Sequence, residues 1–149
     1  MCAPILGRLS DRYGRRPVLL ISVLGSAFGY YLFGVGGALW VLFLSRLIDG
    51  LSGGNISTAS AYIVDITPPE ERAKRFALIG VAFGLGFIIG PALGGALSQI
   101  SLAAPAYAAG TLSLFSAVVG FFVLPESLPR ERRITGAFRW QELNPLGAV

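Results

Sequence analysis

The chain has 149 residues, of which 54% are hydrophobic and only 13% charged; its net charge is +4 and its mean hydropathy +0.68. That balance is far too apolar for a soluble domain. With no histidine and a single cysteine, Cys2, histidine-ligated metal centres, Ser-His-Asp catalysis and an internal disulfide are excluded.

A helix needs about 20 mostly apolar residues to cross a bilayer. No charge occurs in the 29 residues from Pro17 to Ser45, or in the 50 from Phe76 to Pro125. Met1 to Leu6 reads as the last turn or two of a helix that starts earlier. The next helix spans 17–34, with Pro17 at its first position, where the missing N–H costs nothing, and Gly34-Val35-Gly36-Gly37 ending it. A helix over 39–65 follows, carrying Arg46 and Asp49. Thr67-Pro68-Pro69-Glu70 then matches a capping box, with Thr67 as the cap and Glu70 reaching back, and it opens a helix over 70–98 that enters the membrane near Phe76. As one helix the second uncharged run would cover about 75 Å, so it turns at Gln99–Pro105. The last helix spans 106–124 and is closed by Pro125 and Pro129, and a basic segment occupies 130–149. The expected class is an all-α membrane protein with four complete transmembrane helices and the end of a preceding one.

Eleven of the twelve basic residues lie in three places: 8–16, 72–75 and 130–139. The two alternate connections, 34–38 and 99–105, carry no charge. Excess Lys and Arg marks cytoplasmic loops, so both ends of the chain are expected on the cytoplasmic side. Membrane orientation thus accounts for the pI near 9.7 better than nucleic-acid binding does.

Three motifs bear on function. The first is Gly7-Arg8-Leu9-Ser10-Asp11-Arg12-Tyr13-Gly14-Arg15-Arg16-Pro17. Read alone it is a basic turn, with Gly7 and Gly14 permitting tight turns and Asp11 placed to act on a helix N-terminus. The second is Leu44-Ser45-Arg46-Leu47-Ile48-Asp49-Gly50. A charge inside the membrane costs at least about 2.5 kcal/mol unless it is paired or hydrated. Asp49, three residues from Arg46, shares its helix face and is its natural partner. The pair is either structural or part of a proton or substrate route, and the second reading is preferred because such charges usually face a cavity. The third is Gly86-Phe87-Ile88-Ile89-Gly90-Pro91-Ala92-Leu93-Gly94-Gly95. Glycines four apart line one face and admit a neighbouring helix closely, and Pro91 frees a carbonyl.

Glycine, aspartate, glycine and paired arginines at the first motif's spacing resemble the signature loop of the major facilitator superfamily, which joins transmembrane helices two and three. Leu44–Gly50 resembles that family's helix-four arginine motif, although Asp49 stands where glutamine or a small residue is commoner. Gly86–Gly95 resembles the fifth-helix motif of its proton-coupled drug exporters. Asp65-Ile66-Thr67-Pro68-Pro69-Glu70-Glu71-Arg72, like the first loop, is similar to the tetracycline-efflux branch.

The resemblance implies a partial N-terminal half over 1–129, consisting of a helix-two stub and helices three to six, and the start of the central loop over 130–149. It implies that Arg15, or Arg16 as second choice, pairs with Asp65 at the foot of helix four. It also implies that Gly7, Asp11, Arg12 and Gly14 belong to the same gating loop. The function implied is proton-coupled antiport exporting drug-like small molecules from a bacterial inner membrane. The partners would be lipid, protons, a small-molecule substrate and a C-terminal half. No catalytic residue, cofactor or metal is expected. The alternatives are a uniporter or symporter for another small solute, and a small four-span membrane protein with a structural role.

Overall fold

A computed structural model of the chain describes residues 3–52 and 55–128, and every regular element among them is helical. The order is α1 (Ala3–Tyr13), α2 (Arg15–Val35), α3 (Leu39–Ser52), α4 (Asn55–Ile66), a 3₁₀ turn (Pro69–Glu71), α5 (Arg72–Ser98) and α6 (Ala104–Val123). Three helical stretches are long and apolar enough to cross a membrane: Arg15–Val35, Pro69–Ser98 and Ala104–Val123.

Several boundaries differ from the sequence reading. The signature segment is not a loop along most of its length, because α1 continues as a helix to Tyr13. Gly7 therefore sits inside a helix, with open space where a side chain would stand, and forms no turn. Gly14 alone turns the chain. Its φ of 108° is a backbone conformation L side chains rarely adopt, and its N–H still bonds the Ser10 carbonyl at 3.0 Å. Because α2 starts at Arg15, Pro17 is its third residue rather than its first, still within the turn whose N–H groups lack helical partners. The span expected over 39–65 is described as α3 and α4, on either side of residues 53 and 54, which lie outside the described residues. The capping box does not form: Pro68 precedes the 3₁₀ turn with no side-chain cap. Instead, Arg72 donates to the carbonyls of Val64 and Thr67, both at 3.2 Å, and so covers the C-terminal end of α4. The basic segment 130–149 lies outside the described residues.

The centre of the bundle is α2, which packs against α6 on one side and α3 on another, and also meets α1 and α4. Lipid tails are as apolar as leucine, so helices in a membrane associate through close contact rather than through expulsion of water. Small residues make that contact possible here. A Cβ added at Gly34 would stand 2.8 Å from the Tyr107 ring, one at Gly110 3.2 Å from Tyr31, and one at Gly120 3.2 Å from Leu20. These three points run the length of the α2/α6 seam. Tyr31 and Tyr107 meet with ring centroids 6.1 Å apart, and the Tyr31 hydroxyl shares a 2.9 Å hydrogen bond with Thr111. Towards α3, Gly29 lets the backbone of Ser45 and the side chain of Asp49 approach α2. By contrast, α5 touches α4 and α6 lightly and has no buried residue.

Gly34→Val should therefore overpack the seam and destabilise the bundle by about 1–3 kcal/mol, while Gly80→Val, facing open space, should not. Thermal unfolding of the two purified variants in detergent checks the contrast, and equal melting temperatures would refute it.

Candidate functional site

Turns and helix ends bring charged side chains together at one end of the bundle. Arg15, the first residue of α2, lies at the centre. Its Nε is 3.1 Å from an Asp65 carboxylate oxygen in the last turn of α4, and its Nη1 is 2.5 Å from Asp11 in the last turn of α1. The same Nη1 donates to the Ser10 hydroxyl at 2.8 Å, and that fully buried hydroxyl donates in turn to the Gly7 carbonyl at 2.6 Å. One guanidinium thus joins three helices. The Arg15 side chain is only 13% exposed and Asp65 27%, so the pair is screened less than a surface bridge, which is worth at most about 1 kcal/mol. Asp11 is occupied by Arg15 and is not the cap of α2.

The cap comes from a residue that the sequence reading passed over. Glu126, three residues beyond α6, accepts from the backbone N–H groups of Arg15 at 2.9 Å, Arg16 at 3.5 Å and Leu128 at 3.2 Å. A carboxylate on the first N–H groups of a helix satisfies orphan donors and meets the positive end of the helix dipole. Its neighbours hold the segment down: the Tyr62 hydroxyl donates to the Pro125 carbonyl at 3.0 Å, and Ser127 donates to Asp65 at 3.4 Å. Arg16 is not the partner of Asp65. It donates to the Phe121 carbonyl near the end of α6, with its guanidinium carbon 5.2 Å from the Phe121 ring centre. Arg12 is exposed and lies 5.7 Å over the Tyr13 ring. The pairing of α2 with residue 126 spans 111 positions, a separation that no local pattern reveals; Pro125 was read only as a helix stop.

Arg46 and Asp49 do form a pair, at 3.6 Å, with side chains 50% and 25% exposed. Asp49 lies against Gly29 of α2. The Arg46 guanidinium lies 4.4 Å over the Phe33 ring and 5.8 Å over that of Tyr30, and borders an apolar groove of about 720 Å³ with Trp40 and Phe43. Asp49 thus points into the bundle, whereas Arg46 lies at its edge.

On α5, Gly86, Gly90, Gly94 and Gly95 have nothing within 4 Å of where a Cβ would stand, and the helix passes through Pro91 without ending. This glycine face is bare. Among the described residues no group of three His, Cys, Asp or Glu comes together.

Removing the carboxylate in Glu126→Ala should cost about 1 kcal/mol, the usual value of a helix cap, and Glu126→Gln should recover part of it. Urea or thermal unfolding of the detergent-solubilised protein measures both, and an alanine variant as stable as the parent would show that the contact does not cap α2.

The sequence pattern of the Major Facilitator Superfamily matches residues 1–147. The chain is similar to the class C tetracycline resistance protein of Escherichia coli, with 43% identity over 148 residues, covering 94% of this chain and 37% of that protein. It is 41% identical to human major facilitator superfamily domain-containing protein 10 over 136 residues, covering 89% of this chain and 29% of that one. The crystal structure of the human organic anion transporter MFSD10 (TETRAN) superposes with a TM-score of 0.87 at 36% identity, covering 98% of this chain and 35% of that chain. The chain thus spans about a third of the length of the relatives it matches. A helical bundle with membrane-length apolar spans and a family match along nearly its whole length establish that this multi-pass membrane chain belongs to the major facilitator superfamily of transporters.

Proposed function

We propose that residues 1–129 form part of the N-terminal half of a proton-coupled antiporter that exports drug-like small molecules across a cell membrane, a bacterial inner membrane by preference, with 130–149 opening its central loop. The observation that carries this reading is the bare α5 face. Gly86, Gly90 and Gly94 stand in line with no neighbour, while the glycines of α2 and α6 are filled. A smooth glycine stripe left open in an otherwise packed bundle suits a surface against which the other half docks and shifts. The glycine motif that forms it is the one resembling drug exporters, and relatives at 40–47% identity bear the name tetracycline resistance protein.

On this reading the rim around Arg15 acts as a gate. Its ion pairs and the Glu126 cap favour one access state, and their rearrangement accompanies the rocking of the halves. Gly7, Asp11 and Arg12 of α1, the Gly14 turn, Arg15 and Arg16 of α2 and Asp65 at the foot of α4 make up that gate. Arg46 and Asp49 lie on the route of proton or substrate. A second reading, transport of a lipophilic organic anion, draws on the likeness to the human organic anion transporter and on the guanidinium at the edge of the apolar groove.

Inside-out vesicles from cells making the full-length transporter test both readings. An imposed proton gradient should drive tetracycline accumulation several-fold above vesicles with the gradient collapsed, and Gly90→Leu should abolish the difference while the protein still accumulates in the membrane. Accumulation of an organic anion, with tetracycline ignored, would favour the second reading.

A further inference from the structure

We infer that Asp49 is the residue that takes up and releases the transported proton within this part of the membrane, with Arg46 as its permanent countercharge. The inference rests on the antiport reading above and identifies which member of the intramembrane pair changes state.

Of the eight acidic residues only Asp49 lies in the interior of an apolar span, Asp65 standing at the end of one and the other six beyond them, and the chain has no histidine. Between Pro17 and Val64 the only charged residues are Arg46 and Asp49. An arginine keeps its proton in proteins, so only Asp49 can cycle.

Depth supports the assignment. Asp49 is ten residues into α3 from Leu39, which at 1.5 Å per residue is about 15 Å, or half the thickness of a roughly 30 Å hydrocarbon core. Coupling-ion sites in transporters built from repeats lie near that midplane.

The local geometry lets the carboxyl group change charge without stranding its partner. At 3.6 Å the contact with Arg46 is longer than a charge-assisted hydrogen bond, so the carboxylate is not locked. The helix packed on this face is α2. It contributes Gly29, whose missing side chain admits Asp49, and the rings of Phe33 and of Tyr30, whose phenol is a further titratable group beside Arg46. Those rings offer Arg46 a second partner, since a ring face attracts a guanidinium.

The step then balances. A proton from the outer aqueous phase adds to a carboxylate oxygen of Asp49, the ion pair is lost, and Arg46 stays on the Phe33 ring. Release of that proton to the inner side restores the carboxylate and the pair. One proton has moved inward and no other bond has changed.

The test uses the full-length transporter in proteoliposomes, measuring two rates: net transport driven by a pH gradient, and substrate counterflow with no gradient. In Asp49→Asn, gradient-driven transport should fall to the level seen with the gradient collapsed, while substrate counterflow persists at a measurable rate, which also shows that the variant is folded. Asp49→Glu should retain driven transport with a shifted pH profile; this variant decides the question if the asparagine form fails to accumulate, because an unshifted profile overturns the inference. Driven transport that survives unchanged in Asp49→Asn overturns it while leaving the antiport reading intact. A parent protein indifferent to the gradient overturns both.

Discussion

A charge in hydrocarbon costs at least about 2.5 kcal/mol unless it is paired or hydrated, and that cost bears on where the charged groups of this bundle sit. Apart from Arg46 and Asp49, most charged side chains among the described residues lie at or near helix ends at one end of the bundle. There they meet another demand, because helix termini have orphan backbone groups that must be satisfied. The structure meets both demands with the same residues. Glu126 takes the free N–H groups at the start of α2, Arg72 covers carbonyls at the end of α4, and Arg16 covers one near the end of α6. Arg15 then joins α1, α2 and α4. The rim exists because the chain has to end its helices where water and charge are available.

Within the bundle, helices are held mainly by close contact, with the Tyr31–Thr111 hydrogen bond added between α2 and α6. Gly29, Gly34, Gly110 and Gly120 remove side chains at the points where α2 meets its neighbours, and tyrosine rings or backbone fill the space. The glycines of α5 have no such neighbour within 4 Å of where a Cβ would stand. One residue type thus serves in two ways, as a fixed seam around α2 and as an open face on α5.

Much of this was legible from the sequence. Uncharged runs and glycine breaks placed the spans to within a few residues, because apolar length is a strong signal. The proximity of Arg15 and Asp65 followed from loop charge and the family resemblance. Other features were hidden for identifiable reasons. Gly7-to-Tyr13 looked like a turn, since charge and glycine are local turn signals, yet those residues continue a helix because Gly14 alone supplies the positive φ. Thr67 fits a capping box locally, but Arg72 and the prolines settle that junction otherwise. Glu126 and the α2/α6 glycines act through partners about 75 to 110 positions away, and only the fold brings them together.

The central claim is that the Arg15–Asp65 contact holds the foot of α4 against the α1/α2 turn. Spin labels at two exposed positions flanking it, Tyr13→Cys and Ile66→Cys, measure this directly by pulsed dipolar spectroscopy of the transporter in nanodiscs. The account predicts one narrow distance distribution in the parent, which broadens or lengthens when Asp65→Asn is added. A distribution that Asp65→Asn leaves unchanged would contradict it.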